Sequence, residues 1–98
     1  MRDQQILEQV KSTLALLTAK APGRAIEVRV PPYAAVQCGD GPTHTRGTPP
    51  NTIEMNADKW LALAAGRLSW SDAMSSGAIA ASGVRADLTE YLPLGSDA

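Results

Sequence analysis

Pro31-Pro32 stands directly behind a stretch, Arg24 to Val30, in which Ile26, Val28 and Val30 alternate with Glu27 and Arg29. That alternation is the period-two signature of a strand with one buried face. Two successive prolines have no backbone N–H to give to a ladder, so the strand stops there and cannot run on as a paired central strand. Tyr33 to Cys38 supplies a second run suited to a pleated surface, and the proline pair becomes the connection within a hairpin-like unit.

Ahead of this unit, Ile6, Leu7, Val10, Leu14 and Leu17 recur at helical spacing. They predict an amphipathic helix with Asp3 as its N-cap, ended before Pro22-Gly23. Behind it, Gly39 to Pro50 is dense in Gly, Pro and Thr, supports no periodic element, and is the longest loop. Asn51 to Met55 reads as a third strand with Ile53 and Met55 inward. Asn56 then caps a helix from Ala57 to about Ala65, and Gly66 ends it. Ser69, with Asp72 behind it in capping-box fashion, opens a short helix that carries Trp70, Ala73 and Met74 as far as Gly77. Ala78 to Ser82 is a fourth strand candidate around Ile79. Asp87 to Leu92 is a helical turn or two with Leu88, Tyr91, Leu92 and Leu94 available for docking, and residues 95–98 are expected to fray.

A chain of 98 residues, 44% hydrophobic, has room for one core and so for one domain, 1–98. The core is lean. There are 16 Ala and no Phe, and the aromatic set is Tyr33, Trp60, Trp70 and Tyr91. Nine Lys and Arg against ten Asp and Glu give a net charge of -1, without the positive footprint that phosphate backbones require. Neither nucleic acid nor an anionic membrane is an expected partner. No stretch approaches the ~20 apolar residues that span a bilayer, and the first residues lack the apolar run of a secretory leader, so a soluble cytoplasmic protein is expected. The single cysteine, Cys38, has no internal disulfide partner, which fits a reducing compartment.

The run Asn56-Ala57-Asp58-Lys59-Trp60-Leu61-Ala62-Leu63-Ala64-Ala65-Gly66, continuing through Ser69-Trp70-Ser71-Asp72-Ala73-Met74 and Gly77 to Gly83, has a recognisable order. It resembles the type-two sterol carrier protein superfamily, in which a helix ending at Gly leads to a short helix, another Gly and a final strand. Val28 to Cys38, followed by His44-Thr45-Arg46-Gly47-Thr48-Pro49-Pro50-Asn51, resembles a small bacterial branch of sterol-carrier orthologues. The resemblance implies an α+β fold, sterol-carrier-protein-like, with a mixed sheet of about four to five strands and helices packed on one face. It also implies an apolar tunnel between sheet and helices for sterols, fatty acids or acyl-CoA. The chain departs from the family pattern in being short, in showing four clear strands and in lacking Phe. The C-terminal accessory domain of thiol-dependent maleylpyruvate isomerases resembles the same superfamily.

On that architecture Trp60, Leu63, Trp70, Met74, Ile79, Leu88 and Leu92 surround any apolar cavity, or simply fill the core. His44 and Arg46, in the Gly/Pro-rich loop, could hold an anionic head group at its mouth, or belong to a solvated loop. Cys38 and His44 raise a thiolate–imidazole pair, set against the commoner role of cysteine as a small buried hydrophobe. No Ser-His-Asp pattern, phosphate-cradling Gly loop or metal-ligand spacing is present, so no catalytic residue, cofactor or metal is expected. Arg24, Glu27 and Arg29 could pair across the sheet or with another copy in a homodimer. The expected function is a noncatalytic carrier of an apolar or amphipathic small molecule. Its rivals are an interaction or oligomerisation module with a filled core, and an accessory domain acting beside a separate thiol-dependent isomerase.

Overall fold

The computed structural model describes residues 2–41 and 51–94. In chain order it comprises helix α1 (Arg2–Lys20), strands β1 (Ile26–Val30), β2 (Ala34–Cys38) and β3 (Thr52–Glu54), helices α2 (Ala57–Ala65) and α3 (Trp70–Ser75), strand β4 (Ala80–Ser82) and a 3₁₀ turn at Thr89–Tyr91. The four strands form one mixed sheet in the order β2-β1-β3-β4. β1 pairs antiparallel with β2 and parallel with β3, and β3 pairs antiparallel with β4. This is the expected α+β arrangement, with β1 at the interior of the sheet.

The alternation read in β1 decides which face is covered. Ile26, Val28 and Val30 are buried, and their partners across β2, Cys38, Val36 and Ala34, share that face. Ile53 of β3, opposite Val28, continues the row. Glu27, Arg29, Gln37 and Glu54 occupy the other face, where Arg29 Nε donates to Glu27 Oε2 at 2.9 Å. That ion pair lies within one strand, and β1 is flanked on both sides, so its outward charges do not line an edge.

α1 buries Val10, Leu14 and Leu17 and contacts both β2 and α2. It begins at Arg2, which places Asp3 inside the first turn rather than at the cap, where a carboxylate still favours the positive end of the helix. The caps of the later helices follow the residues chosen for them. Asn56 Oδ1 accepts from Lys59 N at 2.9 Å, and Ser69 Oγ accepts from Asp72 N at 3.1 Å. α2 ends at Gly66 in the left-handed region, φ +83°, and a Cβ there would also press on Pro93 at 3.3 Å.

A second glycine fixes how the chain enters the sheet. Gly23 lies so close to Gly39 that an added Cβ would sit 1.9 Å from the Gly39 carbonyl oxygen. This approach is held by Ala25 N donating to Gly39 O and Gly39 N donating to Ala21 O. Asn51, the one buried polar residue among those described, ties the same end of the sheet together. Its Nδ2 donates to Ala25 O at 2.8 Å, its Oδ1 accepts from Arg85 N at 2.9 Å, and its carbonyl accepts from Glu27 N. Three chain segments thus meet on one side chain whose hydrogen bonds are satisfied, as burial demands.

Candidate functional site

Between the sheet and the helices lies a cluster built from Val10, Leu14, Leu17, Val28, Ile53 and the large residues of α2, α3 and the C-terminal segment. Trp60 is its largest member, 0% exposed, and enters from α2. Its indole Nε1 donates to Thr13 Oγ1 of α1 at 2.7 Å, and that hydroxyl lies within hydrogen-bond reach of the Gln9 and Val10 carbonyls. The tryptophan therefore fastens α2 to α1 while its ring fills the interior.

Leu63, Ile79 and Leu88 are buried in the same cluster, and Trp70 is 9% exposed. Leu92 is half-buried and packs against it. Met74, the third residue of the stripe read on α3, is 42% exposed. The helix has only six residues, and its buried arc takes Trp70 and Ala73. His44 and Arg46 lie outside the described residues.

The covering of this cluster changes along the chain. From Ala86 to Leu94 it is closed by a segment whose only regular element is the 3₁₀ turn. Leu88 and Leu94 are buried, while Tyr91 and Leu92 are half-buried. Two hydrogen bonds join the segment's end to the helices: Leu94 N donates to Ala64 O at 2.9 Å, and Lys20 Nζ donates to Pro93 O at 3.2 Å.

Among the clefts of the described surface, four can be assigned to named residues. One, about 400 Å³, runs between α1 and α2 over Leu16, Leu61, Ala64, Ala65 and Leu94, with Arg67 at its rim. Leu16 is 50% exposed there. A second, about 380 Å³, lies where β1 begins and β2 ends, with Ile26 beside Asp40, Arg85, Asp87, Glu90 and Tyr91. Arg85 Nη1 donates to Asp40 O at 3.3 Å there, and the Tyr91 phenol is held above its ordinary range by burial and then by the neighbouring Glu90 charge. The other two are a shallow dent on α1 and a hollow beside Pro31, Pro32 and Tyr33. None of these four is lined by Trp60, Leu63, Trp70, Met74, Ile79, Leu88 or Leu92.

Cys38 is fully buried, and burial pushes its thiol up to about 11. At neutral pH it is therefore a protonated apolar side chain of the core, the opposite of an activated thiolate. Among the described residues no group of three His, Cys, Asp or Glu could hold a metal ion, and no helix is long and apolar enough to cross a membrane.

Several of these features left little trace in the sequence. Thr13 as the partner of Trp60 and Asn51 as a buried tie depend on tertiary position. Leu16 had a weak signal, as an apolar residue off the α1 stripe. Comparison with known proteins adds one match: a family model described as bacterial SCP ortholog covers residues 2–94. No curated protein matches the chain.

Proposed function

The chain belongs to the bacterial SCP ortholog family, and from that premise we propose that it is a noncatalytic binding protein for an apolar or amphipathic small molecule such as a fatty acid or acyl-CoA. Families of this sterol-carrier type are in general carriers rather than enzymes. The apolar part of the ligand takes the space between sheet and helices, against Trp60, Leu63, Trp70, Ile79, Leu88 and Leu92, with Met74 at the margin. His44 and Arg46 are the side chains proposed to hold its head group.

The observation that supports this reading is the way the cluster is closed. The side chains of the interior are buried against one another, so a ligand enters only where part of the covering gives way. The segment Ala86–Leu94, largely irregular and joined at its end by two hydrogen bonds, is the part with least regular structure to lose. Displacing Leu92 and Tyr91 exposes apolar surface that an acyl chain covers again, at about 25 cal/mol for each Å² removed from water.

A fluorescent fatty-acyl probe, titrated while energy transfer from Trp60 and Trp70 is followed, tests the proposal. Saturable one-to-one transfer that fatty acid, acyl-CoA or sterol competes away is the expected result. Absence of transfer in a protein that circular dichroism reports as folded would remove it. So would unchanged affinity in folded Met74→Ala and Leu92→Ala variants.

A second reading, an interaction or oligomerisation module of the same fold, is favoured by the completeness of the packing. Trp60, Leu63 and Leu88 are at most 1% exposed, and the described clefts lie outside their contacts.

A further inference from the structure

We propose that the groove between α1 and α2 is a second ligand site, which takes a medium-chain carboxylate, its acyl chain lying over Leu16, Leu61 and Leu94 and its carboxylate meeting Arg67. The groove follows from what the two helices carry beside their buried stripes. On α1, Gln9, Ser12 and Leu16 recur at helical spacing along the margin of buried Val10, Leu14 and Leu17. On α2, Leu61, Ala64 and Ala65 do the same. Small side chains at Ser12, Ala64 and Ala65 leave a trough of about 400 Å³, within the size range of small-molecule sites.

Three features set the chemistry of its occupant. The bed is apolar, and the hydroxyls that line it are already engaged. Ser12 Oγ donates to Gln9 O at 3.3 Å, and Thr13 Oγ1 accepts from Trp60 Nε1 at 2.7 Å. Of the large apolar residues left exposed among those described, Leu16, Met74 and Val84, Leu16 alone lines one of the four clefts. Beside Leu61 and Leu94 it offers apolar surface that an acyl chain covers.

Charge selects an anion. Arg67 is the one charged residue among those lining the groove, and its guanidinium makes no hydrogen bond or ion pair with a described residue. Glu8 lines the neighbouring dent instead. The last carbonyls of α2, which would otherwise repel an anion, are also bonded: Ala62 O accepts from Arg67 N, Leu63 O from Gly66 N and Ala64 O from Leu94 N. The cleft at the start of β1, of similar volume, has the opposite balance. Asp40, Asp87 and Glu90 line it against Arg85, whose Nη1 already serves Asp40 O, so an anion is disfavoured there. The groove lies outside the interior proposed for the carrier's ligand and does not depend on that reading.

Titration of the full chain with octanoate, below its micellar range and followed by amide chemical shifts, tests the proposal. Saturable shifts are expected at Leu16, Ala65, Arg67 and Leu94. Arg67→Gln should weaken octanoate about tenfold through loss of a charge-assisted hydrogen bond and leave octanol binding unchanged. Leu16→Asn should weaken both. Both replaced side chains are exposed, so the variants keep the fold. Absence of shifts at Ala65 and Arg67 would overturn the proposal, and so would equal losses for octanoate and octanol in folded Arg67→Gln. Shifts confined to Ile26 and Leu88 would overturn it as well, while supporting a ligand in the interior. Groove shifts with none at Ile26 or Leu88 would uphold it and count against the interior reading.

Discussion

β1 and β4 lie in one sheet with a single strand between them, yet they are treated in opposite ways. β1 has neighbours on both sides, and its Ile26, Val28 and Val30 are buried. β4 has one neighbour and no buried residue. The same contrast runs through the layer above. α1, with 19 residues, lies over β2 and fastens to α2 through Thr13 and Trp60. The C-terminal part of the covering is a six-residue helix and a mostly irregular segment. The contrast lies in what closes the core: on one side a long helix over a strand pair packed with Val, Ile and Leu, on the other a short helix and the largely irregular segment Ala86–Leu94, which has less regular structure to lose.

The sharpest way to break the long-helix side is Trp60→Ala. It empties the largest buried side chain and removes the indole–Thr13 hydrogen bond, so urea unfolding should report a loss of about 3–5 kcal/mol. Asn51→Ala strikes the tie between the two halves. It leaves Ala25 O and Arg85 N without their side-chain partner, and a loss of about 1–3 kcal/mol is expected by the same measurement. Asn56→Ala removes a cap from α2 and should cost about 1 kcal/mol.

Cys38 sharpens the comparison through pH. Its thiol titrates near 9.0 when unperturbed and at about 11 in the folded chain, so between these values the unfolded chain has lost a proton that the folded chain keeps. The contribution of Cys38 to stability is therefore flat below about pH 8 and falls as pH rises towards 11, and Cys38→Ala should remove that part of the alkaline slope. At the far end of the scale, Val84→Ser should change stability by less than about 0.5 kcal/mol, because the side chain touches water only.

Much of this architecture was legible in local chemistry. The alternation of Ile26, Val28 and Val30 marked the covered face, Pro31-Pro32 marked the turn, and Asn56, Ser69 and Gly66 marked helix ends, because each of these acts on backbone within a few residues. Strand order was not legible. A parallel β1–β3 pair joins residues about 25 apart, and nothing local in Thr52–Glu54 says which neighbour it takes. The same limit hid the buried role of Asn51, which beside Pro49-Pro50 reads as a loop residue. Met74 shows the limit of periodicity itself: on a helix of six residues, a spacing of i, i+3, i+4 does not guarantee that all three positions are covered. Of the residues expected around a cavity, the sequence pattern placed Trp60, Leu63, Trp70, Ile79 and Leu88 together, and the fold buries these five in one core cluster.

We expect the molecule to yield at its C-terminal covering while the α1–β1–β2 half holds. Amide hydrogen exchange, measured on the free chain and again with saturating long-chain fatty acid, tests it most directly. Exchange should be faster at Leu88–Leu94 than at Ile26–Val30 in the free chain, and fatty acid should alter protection in Leu88–Leu94 and leave Ile26–Val30 as it was. Equal protection of the two segments, or a response confined to the α1–β1–β2 half, would contradict it.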